Sequence, residues 1–163
     1  MTIEENYVFP VYIHEETIKK IILYCKSFEK EIFGYLIGNI LKWNEQTYVK
    51  IEEILFLLGA IHSEEYSTSQ IEGTAGKYES KFGRLKKKRK SDNLRVVGWW
   101  HSHPGFGCFL SPTDLKTQEY FFPEPYQVAL VVDPVKDELQ FFTLGNSLGK
   151  GYVSISYAVT SSI

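Results

Sequence analysis

Apolar residues recur at helical spacing in two stretches of the chain. Between residues 15 and 28 they fall at i, i+3, i+4 and i+7, which predicts a helix with one buried face. Residues 78–85 repeat this spacing and lead into a basic run at 86–90, where positive charge suits the C-terminal end of a helix. Residues 111–122 predict a third helix by its start signals, with Ser at the N-cap, Pro next and an acidic residue third in the helix.

Shorter runs that are rich in β-branched and aromatic residues predict strands. They cover residues 7–13, 32–38, 47–57, 95–101, 126–132, 138–144 and 152–159. Pro10 cannot donate to a ladder, so the first strand is expected at a sheet edge, whereas the tryptophan pair in the fourth predicts a central position. Turn residues at 44–46 predict that the second and third strands form a hairpin. These elements predict one α/β domain, in which a mixed, mostly antiparallel sheet is flanked by helices.

The segment between the third strand and the second helix changes character. Residues 59–76 are mainly small and polar, and a loop of that length inside a compact domain is usually either functional or disordered. We therefore predict that residues 59–76 form an insertion that faces the substrate.

Length and composition limit the possible classes of protein. A chain of 163 residues suits one domain spanning residues 1–163, which would bury about two-thirds of the surface of its unfolded chain. No apolar run could span a bilayer and no signal-type core follows the acidic N-terminus, which predicts a cytoplasmic protein. Cys25 and Cys108 are expected to be reduced. The net charge of −2 would not attract nucleic acid or an acidic membrane, so neither is expected as a partner.

Candidate chemistry is concentrated between Gly98 and Asp114, which read G-W-W-H-S-H-P-G-F-G-C-F-L-S-P-T-D. His101 and His103 stand two apart at the end of a predicted strand, so their side chains project from one face. Glycines in the following loop allow the chain to turn back and bring Asp114 to the same point. Two imidazoles and a carboxylate are the usual protein ligands of a catalytic zinc ion, which keeps one position open.

Several residues of this region also have a structural interpretation. Ser111 and Asp114 would cap a helix whether or not a metal is bound, and a His-x-His pair by itself is common. Ser111 also lies at the positive end of that helix, where its hydroxyl could stabilise an oxyanion. Cys108 could ligate a soft metal, but a packed thiol is the simpler interpretation. His14 and His62 are interpreted as surface or capping groups.

A hydrolytic metal site also needs a proton acceptor outside the ligand set. Glu31, at the mouth of the second strand, is one candidate. Glu29 is a close rival, and Glu52 or Glu53 stay open on spacing alone.

The same residues carry a resemblance to a known family. The run E-I-F-G-Y-L-I-G from Glu31 to Gly38, followed by H-S-H-P and S-P-T-D, resembles the JAMM (MPN+) metalloprotease motif of Glu, His-x-His and Ser-x-x-Asp. V-V-G-W-W-H-S-H-P-G-F-G-C-F-L-S from Val96 and V-A-L-V-V-D-P from Val128 are most similar to the isopeptidase subunits of the proteasome lid and the COP9 signalosome. The resemblance covers residues 11–144 and implies a single MPN domain of the cytidine-deaminase-like α/β class.

The resemblance implies a metal centre and a base. It assigns one catalytic zinc ion to His101, His103 and Asp114. It assigns the general acid and base role to Glu31 rather than to Glu29. No Cys/His-rich insertion follows Asp114, so the second, structural zinc ion of some relatives is not expected.

The resemblance also implies how a substrate is held. It assigns oxyanion support to Ser111 and places Gly107, Cys108 and Phe109 at the substrate. Phe109 stands where close relatives tend to have Trp, which keeps an aromatic wall beside the scissile bond. The segment 59–76 occupies the place of an insertion that cradles the extended tail of the modifier, and such a tail could bind by strand addition.

The implied activity is hydrolysis of the isopeptide bond between the C-terminal glycine of ubiquitin, or of a ubiquitin-like protein, and a lysine. Ubiquitin or ubiquitin-like conjugates are the expected partners, together with a proteasome-like or other MPN subunit. One alternative is a JAMM peptidase that matures a ubiquitin-fold sulfur-carrier precursor. A non-catalytic MPN scaffold is another, although a scaffold has no need of an intact metal site.

Overall fold

The computed structural model describes residues 8–62, 68–90, 93–145 and 149–161, with only the backbone described for 57–62 and 68–75. Within these ranges the chain forms three helices, α1 (Glu15–Ser27), α2 (Thr68–Lys88) and α3 (Pro112–Phe121). It also forms eight strands: β1 (Val11–His14), β2 (Glu31–Trp43), β3 (Gln46–His62), β4 (Arg95–Ser102), β5 (Val128–Asp133), β6 (Glu138–Leu144), β7 (Tyr152–Ile155) and β8 (Tyr157–Thr160). None of the helices described here is long and apolar enough to cross a membrane.

The eight strands form one mixed sheet in the order β7-β6-β5-β4-β2-β3-β1-β8. β1 runs parallel to β3 and β8, and β4 runs parallel to β5, while the other four neighbouring pairs are antiparallel. Only Ser156 separates β7 from β8, yet these strands lie at opposite edges of the sheet. The sheet must therefore curl until its edges approach each other. The predicted mixed α/β class is confirmed, but the single predicted strand at 152–159 is two short strands.

The two faces of the sheet carry different parts of the core. On one face, Ile21 and Cys25 of α1 share an apolar cluster with Trp100 of β4. On the other face, Tyr78 of α2 shares a cluster with Trp99. Successive residues of a strand point to opposite faces, so the two tryptophans anchor β4 from both sides. Each buried aromatic ring stabilises the fold by about 1.5–3 kcal/mol, which explains why β4 is central, as its sequence predicts.

The edge position predicted for the first strand is wrong. β1 lies between β3 and β8 and pairs with both of them. Pro10 precedes the paired residues, so its missing N–H removes no bond from either ladder. Its carbonyl instead accepts a hydrogen bond from Val49 N–H at 3.0 Å. A proline just before a strand is therefore compatible with an internal position.

The prediction of a long loop at residues 59–76 is wrong at both ends of that segment. Residues 59–62 continue β3, and residues 68–76 form the first half of α2. Residues 63–67 lie outside the described part of the chain. The start of α2 could not be predicted because Ile71 and Ala75 are the only apolar residues among 68–76. The same stretch contains two glycines, which disfavour a helix. No apolar face therefore marked the helix before Tyr78.

Two glycines allow β4 to lie close to its neighbours. A Cβ atom at Gly98 would lie 1.9 Å from the carbonyl oxygen of Val128 on β5. A Cβ atom at Gly34 of β2 would lie 2.5 Å from Nε1 of Trp100. Both distances are far below van der Waals contact, so these positions exclude any side chain. Strand β4, which carries the two histidines, is thus fixed on both sides.

Candidate metal centre

β4 delivers two histidines to one face of the sheet at its C-terminal end. His101 pairs with Phe33 of β2, and His103 N–H extends the ladder to β5 by donating to the carbonyl of Val132 at 2.8 Å. Their side chains share a face because they stand two residues apart, and their ring centroids are 4.8 Å apart. Both imidazoles are buried. The predicted convergence of this pair is therefore present in the fold.

The chain reverses immediately after His103. Phe106 N–H donates to the His103 carbonyl at 3.1 Å and closes a turn in which Pro104 is second and Gly105 third. Gly105 has a φ of 82°, which together with a preceding proline is typical of a type II turn. The carbonyl oxygen of Gly107 then lies 3.1 Å from Nδ1 of His103. When Nδ1 donates to this carbonyl, Nε2 keeps the lone pair that a metal ion needs.

A capping box starts α3 and fixes the third residue of the site. The Oγ atom of Ser111 accepts from Asp114 N–H at 3.1 Å, and Oδ2 of Asp114 accepts from Ser111 N–H at 2.9 Å. Pro112 occupies the first helical position, where its missing N–H removes no bond. The predicted helix start is confirmed. The box also orients the Asp114 carboxylate independently of the histidines.

The two imidazoles and the carboxylate meet at one point. Nε2 of His101 and Nε2 of His103 lie 3.2 and 3.1 Å from Oδ2 of Asp114. The three candidate ligand atoms all lie within 4.8 Å of one another, and all three side chains are buried. Ligand atoms about 2.0–2.2 Å from a tetrahedral zinc ion are themselves about 3.3–3.6 Å apart. This donor set and its spacing could hold a divalent metal ion.

The charges of the three side chains are set by burial and by one another. Burial lowers the pKa of His101 below its ordinary value. At His103 burial acts in the same direction, but the Asp114 carboxylate and, more weakly, Glu31 raise the pKa above its ordinary value. Burial opposes the charge of Asp114, yet the two imidazoles and the Ser111 N–H hold the pKa of this carboxyl well below its usual range. Asp114 is therefore an anion at neutral pH, as a metal ligand must be.

Glu31 opens β2 beside the histidines. The N–H of Ile32 donates to Oγ of Ser102 at 3.0 Å. β2 and β4 are antiparallel with Phe33 paired to His101, so the start of β2 runs toward His103. The Glu31 side chain is half-buried, and its charge acts on the imidazole of His103. The structure thus brings this predicted residue to the rim of the metal centre.

The other candidate glutamates lie elsewhere. Glu52 and Glu53 line a cleft between α1 and β3, and Glu53 forms an ion pair with Arg89 at 3.2 Å. Glu29 is exposed in the bend before β2. His14 is outside the site as well, because its Nδ1 accepts from Glu16 N–H and caps α1, as predicted.

The residues after the turn differ in what they present to the site. Phe109 is 39% exposed, and its ring centroid lies 4.8 Å from that of His103. Cys108 lies outside the ligand cluster, and its Sγ donates to the carbonyl of Val131 at 3.5 Å. Burial raises the pKa of Cys108 to about 11. Cys108 is thus a packed thiol, and Gly107 contacts the site through its backbone.

Sequence reasoning did not identify the residues that support His101. The ring of Trp99 stacks on the imidazole of His101 with centroids 4.4 Å apart. The indole Nε1 donates to Gln118 of α3, and the Gln118 amide in turn donates to the carbonyls of Phe122 and Gln127. These buried polar groups hold α3 against β4. A glutamine in a helix of otherwise mixed pattern gives no sequence signal for such a role.

Asp133 is a second residue that the sequence did not single out. It ends β5 and is fully buried, and its carboxylate accepts from four backbone N–H groups. Two of the donors, Gly105 and Gly107, belong to the turn beside His103, at 2.9 and 2.8 Å. The D-P-V-K-D run reads simply as a turn between strands, so only the fold reveals the link.

The fold is a mixed sheet with helices on both faces, and the site is a buried cluster of two histidines and an aspartate. Together they define the class of protein as an α/β domain with a candidate metal centre. The chain belongs to the family described as JAB1/Mov34/MPN/PAD-1 ubiquitin protease, whose model matches residues 6–123. The resemblance to the JAMM (MPN+) family is thereby confirmed.

Relatives agree with this family assignment, and a solved structure agrees with the fold. The COP9 signalosome complex subunit 5 of Debaryomyces hansenii is 33% identical over 139 residues, which are 83% of this chain and 28% of that protein. The 26S proteasome regulatory subunit rpn11 of Schizosaccharomyces pombe is 60% identical over 42 residues, which are 25% of this chain and 14% of that protein. The chain thus spans less than a third of the length of either relative. The solution structure of protein DSY2949 from Desulfitobacterium hafniense matches with a TM-score of 0.64 and 17% identity over 94% of each chain, which supports the fold.

Proposed function

We propose that this chain is a zinc-dependent isopeptidase that removes ubiquitin or a ubiquitin-like modifier from lysine. The proposal rests above all on the buried cluster of His101, His103 and Asp114 in a chain of the JAB family. Glu31, whose charge acts on His103, supplies a carboxylate outside this ligand set. A ligand triad with a neighbouring carboxylate is the arrangement that metal-assisted hydrolysis requires.

Zinc suits this donor set better than magnesium or calcium does. Two imidazole nitrogens and one carboxylate oxygen are typical of a catalytic zinc site, whereas magnesium and calcium prefer oxygen ligands throughout. His101 and His103 would bind through Nε2, and Asp114 would bind through Oδ2. A zinc ion held there would supply a Lewis acid that polarises the scissile carbonyl and makes water a nucleophile near neutral pH.

Glu31 is the proposed general acid and base. Its carboxylate accepts the proton of the attacking water and then delivers that proton to the leaving amine of the lysine. The side chain is half-buried, and its charge acts on the imidazole of His103. General acid and base catalysis typically contributes about 10²–10⁴-fold to the rate.

Ser111 is proposed to support the oxyanion that forms on the scissile carbonyl. Its Oγ accepts from Asp114 N–H, which leaves the hydroxyl hydrogen available as a donor. The residue stands at the N-terminus of α3, where the helix dipole favours negative charge. Loss of one such donor typically costs about 10²–10³-fold in turnover.

The residues proposed to contact the substrate lie in the loop between His103 and α3 and in segment 59–76. Phe109 is partly exposed beside His103 and is proposed as a wall of the scissile-bond site, next to the backbone of Gly107 and Cys108. Segment 59–76 is proposed to hold the extended tail of the modifier. The tail could add as a strand, since main-chain hydrogen bonds give affinity without a deep pocket.

The proposed partners are ubiquitin or ubiquitin-like conjugates. The names of the two relatives place those proteins in the COP9 signalosome and the 26S proteasome, so a proteasome-like or other MPN subunit is proposed as a second partner. A cytoplasmic location stays a prediction, as does the absence of nucleic acid among the partners.

A substrate panel tests the proposal. The chain is incubated with isopeptide-linked di-ubiquitin, with lysine conjugates of ubiquitin-like proteins, and with ubiquitin-fold precursors that carry a C-terminal extension. We expect cleavage of isopeptide bonds, loss of cleavage with a zinc chelator, and recovery when zinc is returned. Cleavage of the C-terminal extensions alone would favour the sulfur-carrier peptidase. A chain that binds zinc but cleaves nothing in the panel, with or without an added MPN partner, would favour the scaffold.

A further inference from the structure

The carboxylate of Asp133 joins two loops that are distant in sequence. Its Oδ1 atom accepts from Val135 and Lys136 N–H at 3.0 and 3.1 Å, within the turn between β5 and β6. Oδ1 also accepts from Gly105 N–H at 2.9 Å, and Oδ2 accepts from Gly107 N–H at 2.8 Å. The last two donors belong to the turn that follows His103. A carboxylate is the only side chain of this size that can accept on both oxygens.

The bonds from Gly105 and Gly107 are the ones that the local turn does not explain, and only the bond from Gly107 uses Oδ2. An aspartate at the start of a turn commonly accepts from the N–H groups two and three residues ahead, and here Oδ1 alone does so. Oδ2 of Asp133 instead accepts from Gly107, 26 residues earlier in the chain. Asp133 is fully buried, so both oxygens have left water for these N–H groups. Separating the two loops would leave buried carboxylate oxygens and N–H groups without hydrogen-bond partners, which costs stability. The loops are therefore held together.

Gly107 links the Asp133 carboxylate to the imidazole of His103. Its N–H is held by Asp133, and its carbonyl lies 3.1 Å from Nδ1 of His103. With a φ of 83° the residue adopts a left-handed conformation that points the two groups in these directions. The contact from Nδ1 to the Gly107 carbonyl thereby restricts rotation of the His103 ring about its Cβ–Cγ bond, from the side opposite Nε2.

We propose that Asp133 is a positioning residue for the metal centre, which holds the Gly105–Gly107 turn so that the Gly107 carbonyl orients His103 toward the metal ion. The inference rests on the proposed function to the extent that the site holds a metal ion. Groups that orient metal-ligating histidines typically change metal affinity or activity by about 10–100-fold when they are removed. Here the orienting group is a backbone carbonyl, and Asp133 acts through it.

The variant Asp133→Asn separates the local turn from the metal centre. The amide oxygen can take the place of Oδ1 and keep the bonds from Gly105, Val135 and Lys136, so that only the bond from Gly107 is lost. The amide nitrogen then takes the place of Oδ2 and cannot accept from Gly107. Asp137→Asn is the matched control, because Asp137 lies in the same turn, is exposed and has a φ of 56° that Asn tolerates well.

The measurement is the zinc dissociation constant, obtained by competition with a chromophoric chelator on folded protein well below its unfolding temperature. We expect Asp133→Asn to bind zinc about 10–100-fold more weakly and to change the visible spectrum of the cobalt-substituted site. Asp137→Asn should match the wild-type chain in both respects. A folded Asp133→Asn variant with wild-type zinc affinity and cobalt spectrum would overturn the inference, because a purely structural turn would change only the unfolding curve.

A second variant covers the case in which Asp133→Asn fails to fold. Gly107→Ala adds a Cβ atom that meets no other atom within 4 Å, so its effect is confined to the left-handed backbone at the residue itself. We expect weaker zinc binding here as well, and unchanged affinity in this variant would overturn the inference. Zinc binding is read without a substrate, so a wild-type chain that binds zinc but cleaves no conjugate contradicts the proposed function and leaves this test valid. A wild-type chain that binds no zinc contradicts both.

Discussion

Asp114 serves the fold and the site with the same carboxylate. Its Oδ2 accepts from Ser111 N–H as part of a capping box and lies against both imidazoles. The box holds the carboxylate in place before any ligand arrives, so little side-chain entropy is lost on binding. The convergence of His101, His103 and Asp114 could be predicted because all three residues lie in one short motif. The contacts of the Gly107 carbonyl and of Asp133 could not, since no sequence pattern shows which N–H groups a carboxylate accepts from or which side chain a backbone carbonyl meets.

The ligand residues predict a simple set of variants. His103→Ala and Asp114→Ala should each lose both bound zinc and turnover, because two remaining ligands cannot hold the ion tightly. The measurement is the zinc content of dialysed protein, followed by a cleavage assay. Glu119→Ala is a suitable control, as Glu119 is an exposed acidic residue on the same helix. Retention of a full equivalent of zinc by Asp114→Ala would contradict the ligand assignment.

The cysteines should be nearly inert toward thiol reagents in the folded protein. Burial raises the pKa of Cys25 to about 12 and that of Cys108 to about 11. At pH 8 the thiolate fraction of such groups is at least about 100-fold lower than that of a free cysteine, and the thiolate is the reactive form. The measurement is the rate of labelling at pH 8, with the denatured chain as the fast control. Labelling of folded Cys108 at the denatured rate would show that this thiol is not packed as described.

Elements with strong local signals in the sequence were predicted well, and the exceptions have physical causes. α1, α3 and the hairpin of β2 and β3 follow from apolar spacing, capping residues and turn residues. The early start of α2 was missed, because its first turns lack an apolar face. The division of 152–159 into β7 and β8 depends on the curl of the whole sheet, which no local pattern encodes.

Alanine substitution should have opposite effects at a glycine packed closely in β4 and at an exposed glycine in α2. Gly98→Ala should lower the free energy of unfolding by about 1–3 kcal/mol or more, since its Cβ would lie 1.9 Å from the carbonyl oxygen of Val128. Gly83→Ala in α2 should raise it by about 0.5–1 kcal/mol, because no atom lies within 4 Å of its added Cβ and alanine favours a helix. Urea denaturation measures both. Equal effects in the two variants would contradict the described strand contact.

At the scale of the whole molecule, the site lies where three separate parts of the chain meet. β2 brings Glu31, β4 brings the histidines and the start of α3 brings Asp114. β4 and β5 are parallel, so α3 serves as the crossover between them and its N-terminus falls at the C-terminal end of β4. The topology thus assembles the site from residues as far apart as 31 and 114.

The molecule should bind one zinc ion and gain stability from it. Within the described part of the chain, His101, His103 and Asp114 form the one cluster of three or more potential ligand residues. Ligand binding to the folded state alone stabilises it by about 2.7 kcal/mol at a free concentration 100 times Kd. We therefore expect one equivalent of zinc by elemental analysis and a lower Tm after chelation. Two tightly bound equivalents, or a Tm that ignores the chelator, would contradict this expectation.

The most direct test of the central claim is the comparison of wild-type and Glu31→Gln protein in zinc content and in cleavage of an isopeptide-linked substrate. The amide keeps the volume of the side chain but cannot accept and return a proton. Glu29→Gln, an exposed neighbour, is the control. The account predicts that Glu31→Gln retains one zinc ion and loses turnover by about 10²–10⁴-fold, while Glu29→Gln cleaves like the wild type. Full activity in Glu31→Gln would show that Glu31 is not the base and would contradict the account.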